Sequence, residues 1–293
     1  MTKAPANGIE IEYETFGSPD DPPLLLIMGL GAQLTFWPDD FCSGLAERGF
    51  YVIRYDNRDV GLSTYFDDAG QPDIVAAFSG NGSPAYTLAD MADDAAGLLD
   101  ALGIDTAHVV GVSMGGMIAQ TLTVRHPAKV LSLASIMSHT GGDDAVPPTP
   151  EAMGVLMVPR PNNRDEVIEL AVKASAVIGS TGFDRDENKT REVAAASFDR
   201  AYHPDGMLRQ MVAIMSAPSR KESLRSVSVP AVVIHGTADT LVPPQNGKMT
   251  ADAIPGAQLV EIDGMGHDLP EGAWPQIIGA VVANTAKAGV TTP

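Results

Sequence analysis

Ser113 lies between two glycines in the segment GVSMG of residues 111–115, after an apolar run and before a helical pattern. A serine at a sharp turn from strand to helix projects from the end of a sheet, and glycine at the flanking positions lets the neighbouring backbone pass close to it. A five-residue pattern with two free positions also occurs by chance, and its placement between strand and helix is what favours a functional role. We predict that Ser113 is a nucleophile.

A serine hydroxyl is a poor nucleophile at its ordinary pKa, so it requires a base within hydrogen-bond reach and a group that orients that base. We predict His267 as the base; it follows a short strand, on a loop that we expect Gly264 and Gly266 to keep flexible. We predict Asp239 as the acid; it follows another apolar run. The ends of parallel strands share one edge of a sheet, which would bring both side chains to Ser113.

Other histidines and carboxylates compete for these two roles. Three of the remaining histidines are better explained as residues at strand starts and helix ends, whereas His139 and His235 lie near the predicted site and stay open as substrate contacts. Asp263 and Asp268 are too close to His267 in sequence to orient its ring.

The tetrahedral intermediate of acyl transfer also requires hydrogen-bond donors for its oxyanion. We expect one from the backbone N–H of Met114, directly after the predicted nucleophile and near a helix N-terminus. The second is expected from the segment MGLGAQ, where Leu30, with Gly31 as an alternative, offers its N–H. The glycines of that segment are also consistent with a simple turn.

The pattern of apolar residues predicts the elements that position these groups. Residues 9–16 alternate as in a half-exposed strand, and residues 88–102 repeat at helical spacing behind Thr87 as the N-cap. Alternation of strands and helices predicts an α/β fold with a mostly parallel central sheet flanked by helices. Five short apolar runs predict strands buried on both faces, at residues 24–28, 50–55, 107–111, 130–137 and 229–234.

Residues 138–227 interrupt this alternation, because they carry helical patterns around 165–178, 189–200 and 206–215 and no convincing strand. We predict a helical cap or lid over the carboxyl edge of the sheet, where ligand crevices of open α/β sheets lie. A packing layer unrelated to any site is the alternative. The predicted domains are a core of residues 1–137 and 228–293 and a cap of residues 138–227.

Composition excludes several classes of function. The chain of 293 residues has a formal charge of −18, which repels nucleic acid and anionic membranes. Cys42 is the single cysteine, and no apolar run approaches the roughly 20 residues that cross a bilayer. We expect a soluble, cytoplasmic protein that binds neither nucleic acid nor membrane and uses no metal and no cofactor.

Four landmarks resemble the α/β-hydrolase superfamily: LLLIMG, RYDNRDVGLS, GVSMGG and the pair GTADTLVP with GMGH. The resemblance covers nearly the whole chain. In this superfamily the nucleophile, the acid and the base follow one another along the chain in the same order as Ser113, Asp239 and His267. Within the superfamily the chain is most similar to aclacinomycin methylesterase-like hydrolases, which share methionine-glycine at the oxyanion loop and a similar tyrosine-aspartate-x-arginine-aspartate segment. The charged turn, residues 55–59, is expected to be structural.

That resemblance implies hydrolysis of a small-alcohol ester of a bulky acid through an acyl-enzyme, with a small-molecule ester as substrate. Lactone opening, carbon–carbon bond hydrolysis, thioester hydrolysis and perhydrolysis use the same triad and stay open. Outside enzymes, a ligand-binding protein on a hydrolase scaffold is the alternative.

Seven methionines near the predicted site could line an adaptable apolar pocket, and ordinary core filling explains most of them equally well. They are Met28, Met114, Met137, Met153, Met157, Met211 and Met215. Trp37 could form a wall of that pocket or cap the helix that follows it. The residues expected to contact substrate are Trp37, Met137, His139 and Met215.

Overall fold

Eight strands form one mixed sheet in the computed structural model, which describes residues 2–143 and 145–289. The strands are β1 Thr2–Ala6, β2 Ile9–Phe16, β3 Pro23–Ile27, β4 Tyr51–Tyr55, β5 Ala107–Val112, β6 Val130–Ile136, β7 Ala231–Gly236 and β8 Gln258–Ile262. Their order across the sheet is β1-β2-β4-β3-β5-β6-β7-β8. The six strands from β4 to β8 in this order are parallel, and β1 and β2 extend the sheet antiparallel at one edge.

The burial of the central strands explains why their sequences are apolar. Every residue of β5 and of β7 is buried, as the uninterrupted apolar runs predict. The sequence does not predict β1, because TKAPA is short, exposes three of its five residues and contains no apolar run.

Helices occupy the connections between the strands. They are α1 Asp39–Ala46, α2 Ile74–Phe78, α3 Leu88–Ala101, α4 Met114–Arg125, α5 Pro150–Leu156, α6 Arg164–Ile178, α7 Glu187–Arg200, α8 Pro204–Met215, α9 Pro244–Ala253 and α10 Trp274–Thr285. Thr87 is the N-cap of α3, as predicted, and forms a reciprocal capping box with Asp90. The α/β fold with a mostly parallel sheet is thus confirmed. Within the described ranges, every helix is too short or too polar to cross a bilayer.

Four helices, α5 to α8, fall within residues 138–227, and the described parts of that region contain no strand. Three of them, α6, α7 and α8, agree with the helical patterns of the sequence. The seven-residue α5 is too short to show a helical period and is not predicted. The division of the chain into a core domain and a cap stays a prediction.

The charged turn after β4 joins the sheet to three helices. Its Asp56, Arg58 and Asp59 are each no more than 4% exposed, so their charges require partners. The partners lie on α3, α7 and α8, in the ion pairs Arg58–Asp94, Asp56–Arg200 and Asp59–Arg209 at 2.6, 2.8 and 2.8 Å. The charges of this turn therefore have structural partners, in agreement with the structural role expected from the sequence.

Asp94→Asn would keep the shape of this side chain and leave the Arg58 guanidinium buried without a counter-charge. Breaking a buried pair in this way lowers the free energy of unfolding by about 3–5 kcal/mol. Urea unfolding at pH 7 measures the change. Glu222→Gln is the matched control, because the Glu222–Arg225 pair is exposed to solvent and its loss should leave the midpoint unchanged. Equal midpoints for Asp94→Asn and wild type would contradict the assignment.

Candidate active site

Ser113 connects β5 to α4 in a backbone conformation that side chains rarely adopt, with φ 54° and ψ −121°. Hydrogen bonds of its backbone N–H and carbonyl groups hold it there. Its N–H donates to Ile136 O at 2.9 Å, and its carbonyl oxygen accepts from the Gly116 N–H at 2.9 Å and from Ser138 Oγ at 2.8 Å. The surrounding structure therefore offsets the strain and holds the hydroxyl at the carboxyl end of the sheet.

The flanking glycines are required by close packing of backbone on backbone. A Cβ at Gly111 would lie 2.1 Å from Gly115 O, and a Cβ at Gly115 would lie 2.1 Å from Ile27 O at the end of β3. Real Cβ atoms do not approach backbone oxygens so closely. The glycines thus let α4 begin directly against the sheet.

The structure brings Ser113, His267 and Asp239 together. His267 Nε2 lies 2.9 Å from Ser113 Oγ, and His267 Nδ1 lies 2.8 Å from Asp239 Oδ2. The other carboxylate oxygen of Asp239 accepts hydrogen bonds from the N–H groups of Leu241 at 3.0 Å and Val242 at 2.8 Å. A histidine held between a carboxylate and a hydroxyl is arranged to remove the hydroxyl proton.

The Asp239 carboxyl is held in its charged form. Burial raises its pKa, but the charge of His267 and the hydrogen bonds from His235, His267 and the Val242 N–H together lower the pKa to about 2. A charged carboxylate at Nδ1 keeps the proton on that nitrogen and leaves Nε2 as the acceptor for the serine hydroxyl.

His235 supports the acid and does not contact the cavity. It is fully buried, its Nε2 lies 2.7 Å from Val242 O, and the same atom is 3.5 Å from Asp239 Oδ2. The suggestion that His235 contacts substrate is therefore wrong, because β7 directs its side chain behind Asp239, against Gly247.

The loop that carries His267 is held by the last residue of α6 and the residues that follow it. His267 N–H donates to Ile178 O at 2.7 Å, and Gly266 N–H donates to Ser180 Oγ at 2.9 Å. A Cβ at Gly266 would lie 2.4 Å from the carbonyl carbon of Gly179. The prediction that glycine keeps this loop flexible is therefore wrong at Gly266, where the lack of a side chain allows close contact with Gly179.

The loop after β3, which carries the predicted oxyanion donor, passes beside the serine, since a Cβ at Gly29 would lie 3.3 Å from Ser113 Cβ. Among the described residues, the N–H groups of Leu30 and Met114 have no hydrogen-bond partner, whereas the Gly31 N–H donates to Gln210 Oε1 at 2.8 Å. That bond removes Gly31 as the alternative donor. Asn57 Nδ2 donates to Met28 O at 2.9 Å and so anchors the start of the loop to the charged turn.

A cavity of about 1540 Å³ opens onto this site. Ser113, His267 and Leu30 line it together with residues of α5 to α8. Its apolar wall is rich in methionine, and the methionines that line it are Met28, Met117, Met137, Met153, Met157, Met207, Met211 and Met215. Met117 and Met207 are absent from the sequence prediction, because only the packed structure shows which face of a helix meets a cavity.

Three of the four expected substrate contacts line this cavity: Met137, His139 and Met215. Trp37 does not, and its assignment as a pocket wall is wrong. The indole is fully buried and stacks on Phe41 with ring centroids 5.4 Å apart, because the chain turns this side chain into the core against α1.

His139 presents a neutral ring to the cavity. Burial lowers its pKa to about 4, and the nearby charges of Arg220, His267 and His235 act in the same direction. Its Nδ1 accepts a hydrogen bond from the Gly141 N–H at 2.9 Å, so the proton resides on Nε2. His139 can thus donate a hydrogen bond to a molecule in the cavity.

The sheet topology, the sharp serine turn and the histidine between serine and aspartate define a hydrolase-type scaffold. A model of the alpha/beta hydrolase fold matches residues 22–272, and the chain belongs to this family.

Similar proteins include two methylesterases. The rhodomycin D methylesterase of Streptomyces sp. strain C5 is 32% identical over 94% of this chain and 95% of that relative, and the one of Streptomyces peucetius is 31% identical over the same shares. The enol-lactonase of Burkholderia xenovorans LB400 is a similar solved structure, with a TM-score of 0.72, 25% identity, and coverage of 97% of this chain and 100% of that one. These relatives confirm the superfamily and the methylesterase-like resemblance.

Gly115→Ala tests the close approach that defines the serine turn. We expect the new methyl group to push α4 away from Ile27 O and to lower kcat/KM for a p-nitrophenyl ester at least about 10-fold, since small misplacements of a nucleophile have large effects. Gly279→Ala is the control, because no atom lies within 4 Å of its Cβ position in α10 and alanine favours a helix. Full activity in Gly115→Ala would show that the contact does not position Ser113.

Proposed function

We propose that this protein is a carboxylic ester hydrolase that acts through an acyl-enzyme on Ser113. The position of His267, within hydrogen-bond distance of both Ser113 Oγ and Asp239, is the observation that carries this proposal. The two methylesterase relatives support ester hydrolysis independently of the geometry.

In the first step, Ser113 Oγ attacks the ester carbonyl carbon while His267 Nε2 accepts the hydroxyl proton. The carbonyl oxygen gains the negative charge and is stabilised by the N–H groups of Leu30 and Met114, the two free donors beside the serine. His267 then gives its proton to the departing alcohol oxygen, and the acyl group remains on Ser113. Asp239 stabilises the imidazolium throughout and keeps its own charge.

In the second step, a water molecule gives a proton to His267 and attacks the acyl-enzyme carbon. The tetrahedral intermediate collapses, the Ser113 oxygen takes the proton back from His267, and the carboxylic acid leaves. The same donors stabilise the second oxyanion.

The cavity supports a bulky acyl group. Its 1540 Å³ exceeds the 300–1,000 Å³ that is typical of small-molecule sites. Flexible methionine side chains adapt to large apolar surfaces, and His139 adds a directed hydrogen-bond donor among them. We infer that the substrate is a methyl or other small-alcohol ester of a large acid, as the names of the rhodomycin D methylesterases indicate for those relatives.

Lactone hydrolysis is the second candidate, since the solved enol-lactonase shares the fold at 25% identity. Ring opening uses the same acyl-enzyme, except that the departing alcohol stays attached to the acyl group. Comparison of kcat/KM for a bulky methyl ester and for a lactone of similar size ranks the two reactions.

We also propose how the chain divides into domains and where the protein works. Residues 138–227 would act as the cap over the core of residues 1–137 and 228–293; Met1, Asp144 and residues 290–293 fall outside the described ranges. The net charge of −18 supports an enzyme that avoids nucleic acid and anionic lipid. We propose the cytoplasm as its location.

Ser113→Ala removes the nucleophile, so we expect kcat/KM for p-nitrophenyl butyrate to fall by more than about 1,000-fold. Thermal unfolding should stay that of a folded protein. The matched control is Ser79→Ala, which removes an exposed hydroxyl that bonds only to Val75 O. Undiminished turnover by purified Ser113→Ala would refute the mechanism.

A further inference from the structure

Arg160 stands out among the residues that line the cavity. It lies between α5 and α6 and lines both the large cavity and an adjoining pocket of about 190 Å³. Tyr202 and Phe198 also line that smaller pocket. Arg160 therefore borders the same cavity as Ser113, from the segment between two helices.

Within residues 2–143 and 145–289, no carboxylate pairs with this guanidinium. Its single hydrogen bond within the described ranges runs from Nη2 to Leu156 O at 3.1 Å. Eight of the twelve arginines pair with carboxylates within the described ranges, among them the buried Arg54, Arg58 and Arg209. Arg160 is one of the four that do not, and it is half-buried, whereas Arg185, which also lines the cavity, is exposed.

Arg220, which is buried, also has no carboxylate partner within the described ranges, but its environment differs from that of Arg160. Its Nε donates to Gln120 Oε1 at 3.1 Å and its Nη2 donates to His139 O at 2.9 Å, and it does not line the cavity. Arg220 therefore supports the backbone of His139, whereas Arg160 faces open space.

The bond to Leu156 also has a structural interpretation. Leu156 is the last residue of α5, and an arginine near a helix end can bind the free carbonyl groups there. That role uses one of the five N–H donors of a guanidinium. The other donors stay available to a molecule in the cavity.

A partly buried cation without a counter-ion is poorly solvated, and burial lowers the pKa of Arg160 accordingly. An anion that enters the cavity would replace the lost solvation. Guanidinium groups bind carboxylates through two parallel hydrogen bonds, which are stronger than hydrogen bonds between neutral groups.

We propose that Arg160 is an anion subsite and that the physiological substrate is an ester whose large acid carries a second, negatively charged carboxylate remote from the scissile bond. This inference rests on the proposed function, because it places the remote carboxylate in the acyl part of an ester that Ser113 cleaves. It adds a specificity-determining residue that the sequence patterns do not indicate.

The test compares two series of p-nitrophenyl esters with equal acyl chain length, from six to twelve carbons. One series ends in a methyl group and the other ends in a free carboxylate, as in the mono-p-nitrophenyl esters of linear dicarboxylic acids. The measured quantity is the ratio of kcat/KM for the charged ester to that for the neutral ester of the same length. It is determined in wild type, Arg160→Gln, Arg160→Lys and Arg164→Gln.

We expect the ratio to fall about 10-fold or more in Arg160→Gln at the chain length that reaches the guanidinium, the effect of losing a charge-assisted hydrogen bond. Arg160→Lys should retain part of it. Arg164→Gln is the control, because Arg164 is four residues away, pairs with Asp199 at 2.8 Å and does not line the cavity. Its ratio should equal that of wild type.

An unchanged ratio in Arg160→Gln at every chain length would overturn the proposal, and so would an equal fall in Arg164→Gln, which would indicate only the general field of the protein. A fall in turnover of both esters by the same factor would assign Arg160 a structural role. If wild type cleaved neither series, the proposed function itself would fail. If it cleaved the neutral series through Ser113 but the ratio did not depend on Arg160, only this inference would fail.

Discussion

The contact between two backbones at the end of the sheet determines the rest of the site. Gly115 at the start of α4 packs against the carbonyl oxygen of Ile27 in β3, at a distance that no side chain would allow. This contact forces the chain to reverse at Ser113 with φ 54°. The strained turn then aims the hydroxyl at His267 rather than into the sheet, so the chemistry depends on a packing constraint two residues away.

The helices of residues 138–227 hold the other groups of the site in place. Ile178 at the end of α6 binds the backbone of His267 through its carbonyl oxygen, and Gln210 of α8 binds the Gly31 N–H beside Leu30. Arg200 and Arg209 connect α7 and α8 to the buried carboxylates of the charged turn. The backbone of His267 and the loop that carries Leu30 are therefore held by the same helices that line the cavity.

Features that depend on neighbours in sequence were predictable. The serine turn needs glycines at fixed positions, and buried parallel strands need continuous apolar runs, so β5 and β7 were identified within two residues of their ends. Chain order and strand ends led to Asp239 and His267. These signals are local, and they describe most of the sheet.

Features that depend on the direction of a side chain in the packed protein were not predictable. Trp37 is an aromatic residue near the site, and only the packing of α1 shows that it faces the core. His235 lies one residue before the end of β7 and Asp239 lies three residues after it, yet His235 bonds to Val242 O behind the acid. The lack of an acidic partner at Arg160 is equally invisible in a sequence that contains 37 carboxylate side chains.

The proposed function depends on Ser113 being an activated nucleophile. Reaction of the folded protein with an alkyl fluorophosphonate, followed by intact-mass and peptide mass spectrometry, tests it most directly, since the probe transfers its phosphonyl group to an activated serine and releases fluoride. We expect one adduct, located on Ser113, and we expect none in Ser113→Ala or in protein that is unfolded in urea before the probe is added. An unlabelled folded protein, or an adduct on another residue, would contradict it.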